Sequence, residues 1–529
     1  MPIRLLLGLS LACLALPILA VPLPMLLDYP NHLARIWLLS GGLDQGPMAA
    51  FYELDWAALT NIGIDLLAWG PGRFVPATLQ GPVYIWLGAA LPVLGAALLN
   101  RRLFGGWSWW QLGFGIFAWN LTLLAGFLNF NIGVGMALLA AAAEPWVARQ
   151  PGWAGFVLRL AVGFVLGVMH AFALFLYAAV LGGLALGPQA RGWFGWPRIR
   201  TVLLAVAPAV AAVALLVVLA PALPGSHTAA DAAPRSPLAE SLALLADPGR
   251  KLRNGLAAIQ TYRLKPDLLA LLFLLVPLAW AAARGWLRWH AGLFVAVAGM
   301  AVLFLAFPDF AVGTGWLDRR FAQMGCILAL VALRPNLPAR FAPVLAAAML
   351  LMVAGRTAWV GWVWWQRSAD VAAVERALQP VPAGALVLPL EHTPIANQVP
   401  LGRVFIDGYP SYYHLPALAV LRRQAFVPTL FTARGKQPLA VRPAFQALAV
   451  PEGPLASVNA LEHLDRMPWY RDLAPYVQQW ERFDFALVLN ADMPDIYGPV
   501  QLPAAFELVR DEGFAQLWRI RQPAVAGLR

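Results

Sequence analysis

Long apolar runs, separated by short gaps that carry arginine, occupy residues 1–365 of the 529-residue chain. A run of about 20 apolar residues crosses a bilayer as a helix, because in lipid the backbone must satisfy its hydrogen bonds within the segment. Only 12% of the residues are charged, and soluble domains carry about 25%. The sequence therefore predicts a polytopic α-helical membrane domain over residues 1–365.

The apolar runs predict about 11 transmembrane helices. They lie at 5–27, 78–99, 107–125, 132–146, 156–169, 171–187, 201–220, 268–283, 291–307, 321–333 and 341–358. Two spans are preferred over one within 156–187, because two place the short arginine-bearing gaps on a single side, which is then the cytoplasm. The expected location is a bacterial cytoplasmic (inner) membrane, with the N-terminus inside and the C-terminal domain periplasmic or extracellular.

Residues 366–529 have the composition of a soluble domain, and their pattern predicts a C-terminal α/β fold. Buried strands are expected at 385–390 and 484–490, and a terminal hairpin at 506–510 and 514–520. Helices are expected at 367–379, 415–425 and 456–480. Within the membrane part, the Pro-, Ala- and Ser-rich stretch 224–237 is predicted to be a disordered loop.

Asp28 ends the first predicted span and is followed by Tyr29, Pro30, Asn31 and His32. A carboxylate at the membrane surface lies where the head group of a lipid-linked substrate would be. Asp28 is thus a candidate catalytic residue, and His32 a candidate substrate ligand. The alternative is a helix-ending Asp before a proline turn, since both residue types form turns.

Three further polar residues stand between apolar spans. Asn129 and Asn131 lie in the predicted outer turn 126–131, and His170 lies where the two short spans meet. Amides at membrane depth are costly unless they pair or line a water-filled cavity. They are candidate substrate ligands. The alternatives are that the two amides cap helices and that His170 hydrogen-bonds a neighbouring helix.

A short outer loop contains Asp318, Arg319 and Arg320, although the positive-inside rule disfavours arginine there. The planar guanidinium fork matches phosphate oxygens in a bidentate way. Arg319 and Arg320 are therefore candidates for binding a lipid phosphate, and Asp318 is a further candidate for binding substrate. The alternative is a salt bridge between Asp318 and an arginine, with the side chains reaching toward the membrane interface.

In the tail, residues 408–414 form an aromatic, turn-rich segment that ends at His414. Tyr and His rings stack on sugar faces while their polar tips donate hydrogen bonds, so the segment could line a sugar-binding surface. The second interpretation, that it docks the tail onto the membrane domain, is slightly favoured.

Several function classes are excluded by pattern. The net charge of +11 comes from single arginines at the ends of apolar runs, which follows membrane topology and not nucleic-acid binding. The chain has no phosphate-binding P-loop, no zinc or redox motif and no serine-hydrolase elbow. The two cysteines, Cys13 and Cys326, lie inside apolar spans and indicate neither a disulfide nor a metal pair.

The segments Leu27 to His32, Gly126 to Asn131 and Asp318 to Phe321 together resemble the GT-C superfamily of membrane glycosyltransferases. In that family an acidic residue follows the first span, and a late Arg-aromatic element lies near the lipid phosphate. Many relatives carry an acidic residue in the second outer loop, where this chain has only Asn129 and Asn131. The resemblance thus gives no support for a divalent metal, and no cofactor is expected.

The resemblance implies an inverting transfer of a sugar from a polyprenyl-phosphate donor to an extracytoplasmic saccharide or lipid acceptor. Asp28 would be the general base, and Arg319 or Arg320 would stabilise the lipid phosphate. Two other classes remain open, a polytopic lipid or solute transporter (or flippase) and a non-enzymatic scaffold of envelope assembly. The oligomeric state does not follow from the sequence.

Overall fold

The computed structural model describes residues 2–57, 59–189, 195–220, 246–311, 314–393, 398–405, 408–493 and 498–521. The loop predicted to be disordered, 224–237, lies outside these ranges. Helices dominate up to residue 377, and the longer strands belong to the residues that follow. This distribution agrees with the predicted helical first part and the mixed α/β tail.

The helices of the first part are α1 (Ile3–Cys13), α2 (Leu16–Leu19), α3 (Tyr29–Leu39), α4 (Met48–Phe51), α5 (Gly63–Trp69), α6 (Ala77–Phe104), α7 (Leu121–Leu124), α8 (Leu128–Val147), α9 (Gly152–Met169), α10 (Ala171–Leu186), α11 (Trp196–Leu219), α12 (Pro248–Gly255), α13 (Leu264–Ala283), α14 (Ala291–Ala306), α15 (Leu317–Val331) and α16 (Ala342–Ala377). The tail adds α17 (Leu418–Arg423), α18 (Pro443–Gln446) and α19 (Tyr470–Leu473). Turns of 3-10 helix lie at Gly42–Asp44, Pro71–Phe74, Trp109–Phe117, Leu256–Ala258, Ala339–Phe341, Leu415–Ala417, Val458–Leu461 and Pro475–Arg482.

Within the described ranges, six helices are long and apolar enough to cross a membrane. They are α6, α8, α9, α11, α13 and the stretch Ala339–Ala377, which is α16 with its preceding turn. Shorter apolar helices lie at Ile3–Leu19, α10 and α14. The membrane-protein prediction is thus confirmed, but the predicted number of about 11 spans is not.

The predicted span 5–27 is wrong in its length. Helix α1 ends at Cys13, α2 ends at Leu19, and the chain from Val21 to Leu27 is not helical. Pro22 and Pro24 explain the early end, because proline has no amide hydrogen and its ring clashes with the preceding turn of a helix. As a result the chain turns before it reaches Asp28.

The predicted span 107–125 is also wrong, because it is a buried 3-10 segment, Trp109–Phe117, followed by α7. Asn120 ends the first piece and starts the second, since its side chain accepts a hydrogen bond from the Leu123 amide at 3.0 Å. The segment packs against α6 and α16, so its irregular backbone is shielded by protein. Such backbone is tolerated at membrane depth only when it is covered in this way.

The preferred division of 156–187 into two spans corresponds to two separate helices, α9 and α10. They meet at His170, whose extended backbone breaks the helix. The His170 side chain caps α10, because Nδ1 accepts a hydrogen bond from the Phe172 amide at 3.2 Å. A histidine between the two predicted spans is therefore explained by its capping of α10.

Helix α16 continues past residue 365 to Ala377 and joins the membrane part to the tail without a break. The division into domains 1–365 and 366–529 stays a prediction. If it holds, one rigid helix is shared between the two parts. The predicted helix at 367–379 is the end of α16.

The strands are β1 (Tyr52–Leu54), β2 (Leu287–Trp289), β3 (Phe310–Ala311), β4 (Thr314–Gly315), β5 (Leu333–Pro335), β6 (Val387–Glu391), β7 (Leu439–Val441), β8 (Ala456–Ser457), β9 (Phe485–Leu489), β10 (Phe506–Asp511) and β11 (Ala515–Ile520). The main sheet has the order β10-β11-β9-β6-β8. Strand β6 is parallel to β8 and β9, and β11 is antiparallel to β9 and β10. The two buried strands and the terminal hairpin predicted from sequence are confirmed.

The predicted helix at 456–480 is wrong. Strand β8 and a 3-10 turn occupy its start, and α19 and the Pro475–Arg482 turn occupy its end. Pro468 and Pro475 interrupt the helical pattern for the reason already given for the first span. The predicted helix at 415–425 is largely confirmed, as a 3-10 turn followed by α17.

The segment between α2 and α6, which contains α3, α4, β1 and α5, contacts the tail directly. Strand β1 pairs antiparallel with β7, with Tyr52 opposite Val441. The Tyr52 ring stacks on Phe426 at 5.9 Å between centroids. These contacts bring the tail against the end of the helix bundle at which Asp28 lies, which we call the tail-side end.

Candidate active site

The backbone at Asp28 lies against the turn that begins at Gly126. The amides of Leu27 and Asp28 donate to the carbonyls of Leu124 and Ala125 at 3.0 and 3.1 Å. Gly126 has a φ of +93°, and a Cβ placed there would lie 2.7 Å from the Cβ of Asp28. Only glycine fits this close approach. The two segments that the sequence singled out first therefore meet.

The Asp28 carboxylate is directed toward the tail. Although Asp28 occupies the N-cap position of α3, its side chain does not cap the helix. Its Oδ1 lies 3.5 Å from Nε2 of His414, and the side chain is 16% exposed. Burial raises the pKa of Asp28, and the hydrogen bond with His414 partly offsets this effect. A carboxylate with a raised pKa is a more effective general base near neutral pH.

His32 lies one helical turn after Asp28 and is held by protein groups. Its Nδ1 is 3.2 Å from Nη2 of Arg35, which itself forms a buried ion pair with Asp65 at 2.6 Å. The ring also hydrogen-bonds the Gly126 carbonyl. Burial and the Arg35 charge lower the pKa of His32 well below its usual value, so the ring is neutral. The role of His32 as a substrate ligand stays a prediction. Its contacts favour a structural role, in which His32 holds the Gly126 turn in place.

Asn129 and Asn131 are buried and engaged within the protein. Asn129 accepts from the Ile64 amide at 2.9 Å and donates to the Asn61 carbonyl at 2.6 Å. Asn131 accepts from Gln323 on α15 at 2.9 Å. Both residues lie in the first turn of α8, which begins at Leu128, so the predicted outer turn 126–131 is wrong in its extent, and neither amide caps α8. The two amides hold neighbouring segments in place, and their role in binding substrate stays a prediction.

Arg320 is buried among aromatic rings at the tail-side end of α15. Its guanidinium lies 4.4 Å from the Phe127 ring centroid and 5.4 Å from that of Phe130. Nη1 lies 2.7 Å from Nε2 of His170, and Nη2 donates to the Gly315 carbonyl at 3.3 Å. Over the described part of the chain, no carboxylate lies within ion-pair distance of Arg320. Arg320 is thus a buried cation with no anionic partner in contact among the described residues.

The contact between Arg320 and His170 depends on which ring nitrogen of His170 carries the proton. In the tautomer whose Nδ1 accepts from the Phe172 amide at 3.2 Å, the ring proton of the neutral imidazole is on Nε2. That nitrogen then points an N–H toward the guanidinium, which has only donors. One oxygen of an anion would accept from both groups. Asp28 is near enough for its charge to act on Arg320, so an anion here would lie close to the carboxylate.

Arg319, the neighbour of Arg320, is engaged differently. It lies over the Trp316 ring at 4.1 Å, and its Nε is 3.6 Å from Oδ1 of Asp309. Arg250 approaches the other oxygen of Asp309 at 3.6 Å. Burial raises the pKa of Asp309 to about 6. The sequence did not distinguish the two arginines, and of the two it is Arg320 whose charge acts on Asp28.

Asp318 is fully buried and lies apart from Asp28. Its Oδ2 accepts from Nζ of Lys251 at 3.0 Å and from Nδ2 of Asn254 at 2.9 Å. Both partners belong to α12, so this carboxylate ties α12 to α15. The alternative of a salt bridge between Asp318 and an arginine is not what the structure has, since the cation is Lys251. A role for Asp318 in substrate binding stays a prediction.

An apolar groove of about 450 Å³ opens beside His170. Helices α10 and α11 form its walls, with Ala171, Phe175 and Val213 among the lining residues. Thr60 from the first long loop and Gly435 from the tail close its tail-side end. The volume is within the usual range of ligand pockets, about 300–1,000 Å³. The groove thus has an apolar lining, and Ala171 within that lining is the sequence neighbour of His170.

The tail segment 408–414 contacts the membrane part at two points. The Tyr409 ring packs on Trp316 at 5.5 Å, and His414 reaches Asp28. A second tail residue, Phe431, packs edge-on against both His414 and His32, at 5.0 and 5.5 Å. These contacts favour the docking interpretation of the segment. Sequence reasoning did not identify Phe431, because no local pattern links it to Asp28.

Among the residues that the structure describes, no group of three or more His, Cys, Asp or Glu side chains is arranged to hold a metal ion. Charge in the site is supplied by Asp28 and Arg320. His170 contacts Arg320, and His414 contacts Asp28 from the tail.

No protein-family model and no curated protein matches the chain. Two solved structures match over 99% of this chain and 99% of theirs. They are ArnT from Cupriavidus metallidurans in the apo state, at 13% identity, and the same protein bound to undecaprenyl phosphate, at 14% identity, both with a TM-score of 0.48.

Proposed function

We propose that this chain is a membrane glycosyltransferase that moves a sugar from a polyprenyl-phosphate donor to an acceptor hydroxyl at the tail-side end of the membrane domain. The observation that carries the proposal is that a largely buried carboxylate, Asp28, lies near enough to interact electrostatically with a buried cation, Arg320, that has no carboxylate in contact within the described residues. A base and an anion position side by side are what displacement of a phosphate by an alcohol needs.

The donor phosphate is proposed to lie between Arg320 and His170. A phosphate oxygen would accept one hydrogen bond from the guanidinium of Arg320 and one from the Nε2–H tautomer of His170, whose Nε2 and Nη1 atoms are 2.7 Å apart. The surrounding rings of Phe127, Phe130 and Phe172 exclude water, which strengthens a charge-assisted hydrogen bond. Arg319 is the weaker candidate, because Asp309 already balances its charge.

The polyprenyl chain is proposed to enter through the groove between α10 and α11. The groove is lined almost entirely by aliphatic and aromatic side chains and begins next to His170. Because an isoprenoid chain comes from an equally apolar bilayer, the apolar lining accommodates the chain by packing and does not select the sugar. The space of about 450 Å³ accommodates the isoprene units nearest the phosphate.

The reaction that fits this arrangement is a single displacement. Asp28 takes the proton of the acceptor hydroxyl while the oxygen attacks the anomeric carbon. The bond from that carbon to the phosphate oxygen breaks, and the lipid phosphate leaves with its negative charge beside Arg320. Because the attacking and leaving groups lie on opposite faces of the sugar, the anomeric configuration inverts. Asp28 supplies the base, and Arg320 stabilises the leaving group.

The test is turnover of a lipid-linked donor by the full-length protein in proteoliposomes. The probes are a panel of undecaprenyl-phosphate pentoses and hexoses, with an envelope lipid and saccharide extract as the acceptor source. We expect one donor to release undecaprenyl phosphate, with its sugar attached to an acceptor. If the protein moved donors across the bilayer unchanged, it would be a transporter. Binding of the donors without turnover or transport would support the scaffold alternative instead.

A further inference from the structure

We infer that His414, a residue of the tail, is the positioning residue for Asp28, so that the active site is complete only when the tail is docked. The inference rests on the proposed function, because it assigns a role in the same reaction. It follows from three observations about the two side chains and their surroundings.

The first observation is the direction of the Asp28 carboxylate. At the start of α3 it could accept from the free amides of the first turn, as Asp commonly does at helix N-termini. It does not, and its side chain faces His414, with Oδ1 3.5 Å from Nε2. Within the described ranges, His414 is its only hydrogen-bonding side chain. The carboxylate orientation is therefore set from the tail and not from its own helix.

The second observation is that the His414 ring is itself held in place. It is 6% exposed and packs edge-on against Phe431. Its backbone starts the turn Leu415–Ala417, with the Ala417 amide donating to the His414 carbonyl at 3.0 Å. A ring fixed by packing holds its hydrogen-bonding partner in one orientation, which is what a positioning residue must do.

The third observation concerns the two ring nitrogens. Nε2 faces the carboxylate, and a hydrogen bond to a carboxylate requires an N–H at that atom. Nδ1 is then an acceptor, and it is buried without a hydrogen-bond partner among the described residues. In the working protein that nitrogen accepts from water or from the acceptor substrate. His414 thus orients one oxygen of Asp28 and leaves the other for the acceptor hydroxyl.

The charged and titratable groups around the pair are few. Asp28 faces His414, Glu452 of the tail and Arg320 of α15. His414 also lies near the neutral ring of His32. The hydrogen bond from His414 favours the ionised carboxylate, as the charge of Arg320 does, whereas the negative charge of Glu452 opposes it. Loss of the His414 hydrogen bond should therefore raise the pH at which Asp28 becomes a base.

The experiment compares His414→Phe with His414→Gln in the full-length protein, using the donor of the panel that gives the highest turnover. Phenylalanine keeps the packing on Phe431 and removes the hydrogen bond. Glutamine places an amide N–H near the position of Nε2. We expect His414→Phe to lower kcat about 10- to 100-fold with little change in KM, the range that a hydrogen bond to a charged group provides.

We also expect the acid limb of the pH–rate profile to move to higher pH in His414→Phe. In His414→Gln, kcat and the pH of the acid limb should both lie close to the wild-type values. Arg442→Ala is the matched control, because it removes a docking ion pair with Glu53 at 3.1 Å without touching Asp28. It should leave kcat and the limb unchanged. A purely structural role for His414 would reduce the folded fraction and leave the limb of the remaining protein in place.

Two outcomes separate this inference from the proposed function. An active His414→Phe protein with an unchanged kcat and acid limb overturns the inference, even if Asp28→Asn is inactive. A fully active Asp28→Asn protein overturns the proposed base and, with it, the basis for the inference. If His414→Phe does not fold, His414→Met takes its place, since it also fills the site and lacks an N–H. The inference then predicts that His414→Gln keeps most of kcat and His414→Met does not, and equal kcat values in the two variants overturn it.

Discussion

Two groups of charged residues lie at the tail-side end of the helix bundle, and they differ in whether their charges have partners. The paired cluster consists of Asp309, Asp318, Arg319, Arg250 and Lys251. Each of its acids contacts a cation, at 3.0 Å for Asp318 and Lys251 and at 3.6 Å for the contacts of Asp309. Its members join α12, α15 and the loop before α15. The cluster acts as a connector between segments.

The open cluster consists of Asp28, Arg320, His170 and His414. Its carboxylate and its guanidinium act on each other electrostatically but do not form an ion pair, and His170 and Arg320 present donors to the same space. A buried charge without a partner is costly, so it persists where a ligand supplies what is missing. Arg319 and Arg320 are adjacent in sequence, yet they belong to different clusters. The comparison teaches that the partners of an arginine decide its role, and not the residue type. An arginine paired with a carboxylate joins segments, and an arginine without one is a candidate for binding a ligand.

The largest effect is expected on stability when the paired cluster is broken. Lys251→Met leaves the fully buried Asp318 without its cation, and breaking a buried pair in this way costs about 3–5 kcal/mol. The measurement is thermal unfolding in detergent, followed by tryptophan fluorescence. Arg253→Met on the exposed face of α12 is the control and should unfold at the wild-type temperature. Equal unfolding temperatures for the two variants would show that the pair is not a connector.

The next effect distinguishes the two arginines by activity. Arg320→Gln should lower kcat/KM roughly 10²–10³-fold, the cost of removing one donor that stabilises developing charge. Arg319→Gln should lower it less than about tenfold, because that charge is balanced by Asp309. Arg320→Gln should not lower the unfolding temperature, since it removes a buried charge that pairs with no carboxylate among the described residues. If the two variants lost activity equally, the distinction between the clusters would fail.

Asp309 provides a pH test of the paired cluster. Burial raises its pKa from 3.8 to about 6, so the folded protein binds more protons than the unfolded chain between these pH values. Its contribution to stability therefore falls as pH rises through this window, by about 3 kcal/mol in total. Asp309→Asn should remove this part of the pH dependence in thermal unfolding. If the unfolding temperature of Asp309→Asn depended on pH as that of wild type does, a group other than Asp309 would be responsible for the pH dependence.

The smallest effect concerns the groove. Val213→Trp fills part of it and should raise KM for an undecaprenyl-phosphate sugar about tenfold while leaving kcat unchanged, as expected when only uniform binding is lost. Leu203→Trp on the same helix lies outside the groove lining, is 58% exposed and serves as the control. An unchanged KM in Val213→Trp would show that the lipid chain binds to another surface of the bundle.

Much of the helical part follows from the sequence, because the apolar runs and the backbone requirements of lipid act locally. The same logic fails at 107–125, where an apolar run is covered by protein and is free to adopt a 3-10 form. The same logic also fails at 456–480. Helix-forming residue types there favoured one long helix, but Pro468 and Pro475 divide the segment into short turns. Local pattern identifies apolar segments well and identifies their tertiary surroundings poorly.

The site was predictable in part for the same reason. Asp28 and the Gly126 turn stand out because polar or turn-forming residues at the end of an apolar run are visible in the sequence. The choice between Arg319 and Arg320 was not visible, since it depends on Asp309 and His170, which come from other segments. His414 was noted only as part of an aromatic segment. Its contact with Asp28 joins residues that are distant in sequence, and no local rule predicts it.

The most direct test of the account is the release of undecaprenyl phosphate from a lipid-linked sugar by two isosteric variants, one from each cluster. Asp28→Asn keeps the shape of the side chain and removes the base, so kcat should fall roughly 10²–10⁴-fold in protein that folds normally. Asp309→Asn should retain kcat within about tenfold of wild type. A fully active Asp28→Asn protein, or an equal loss in both variants, would contradict the claim that the open cluster is the active site.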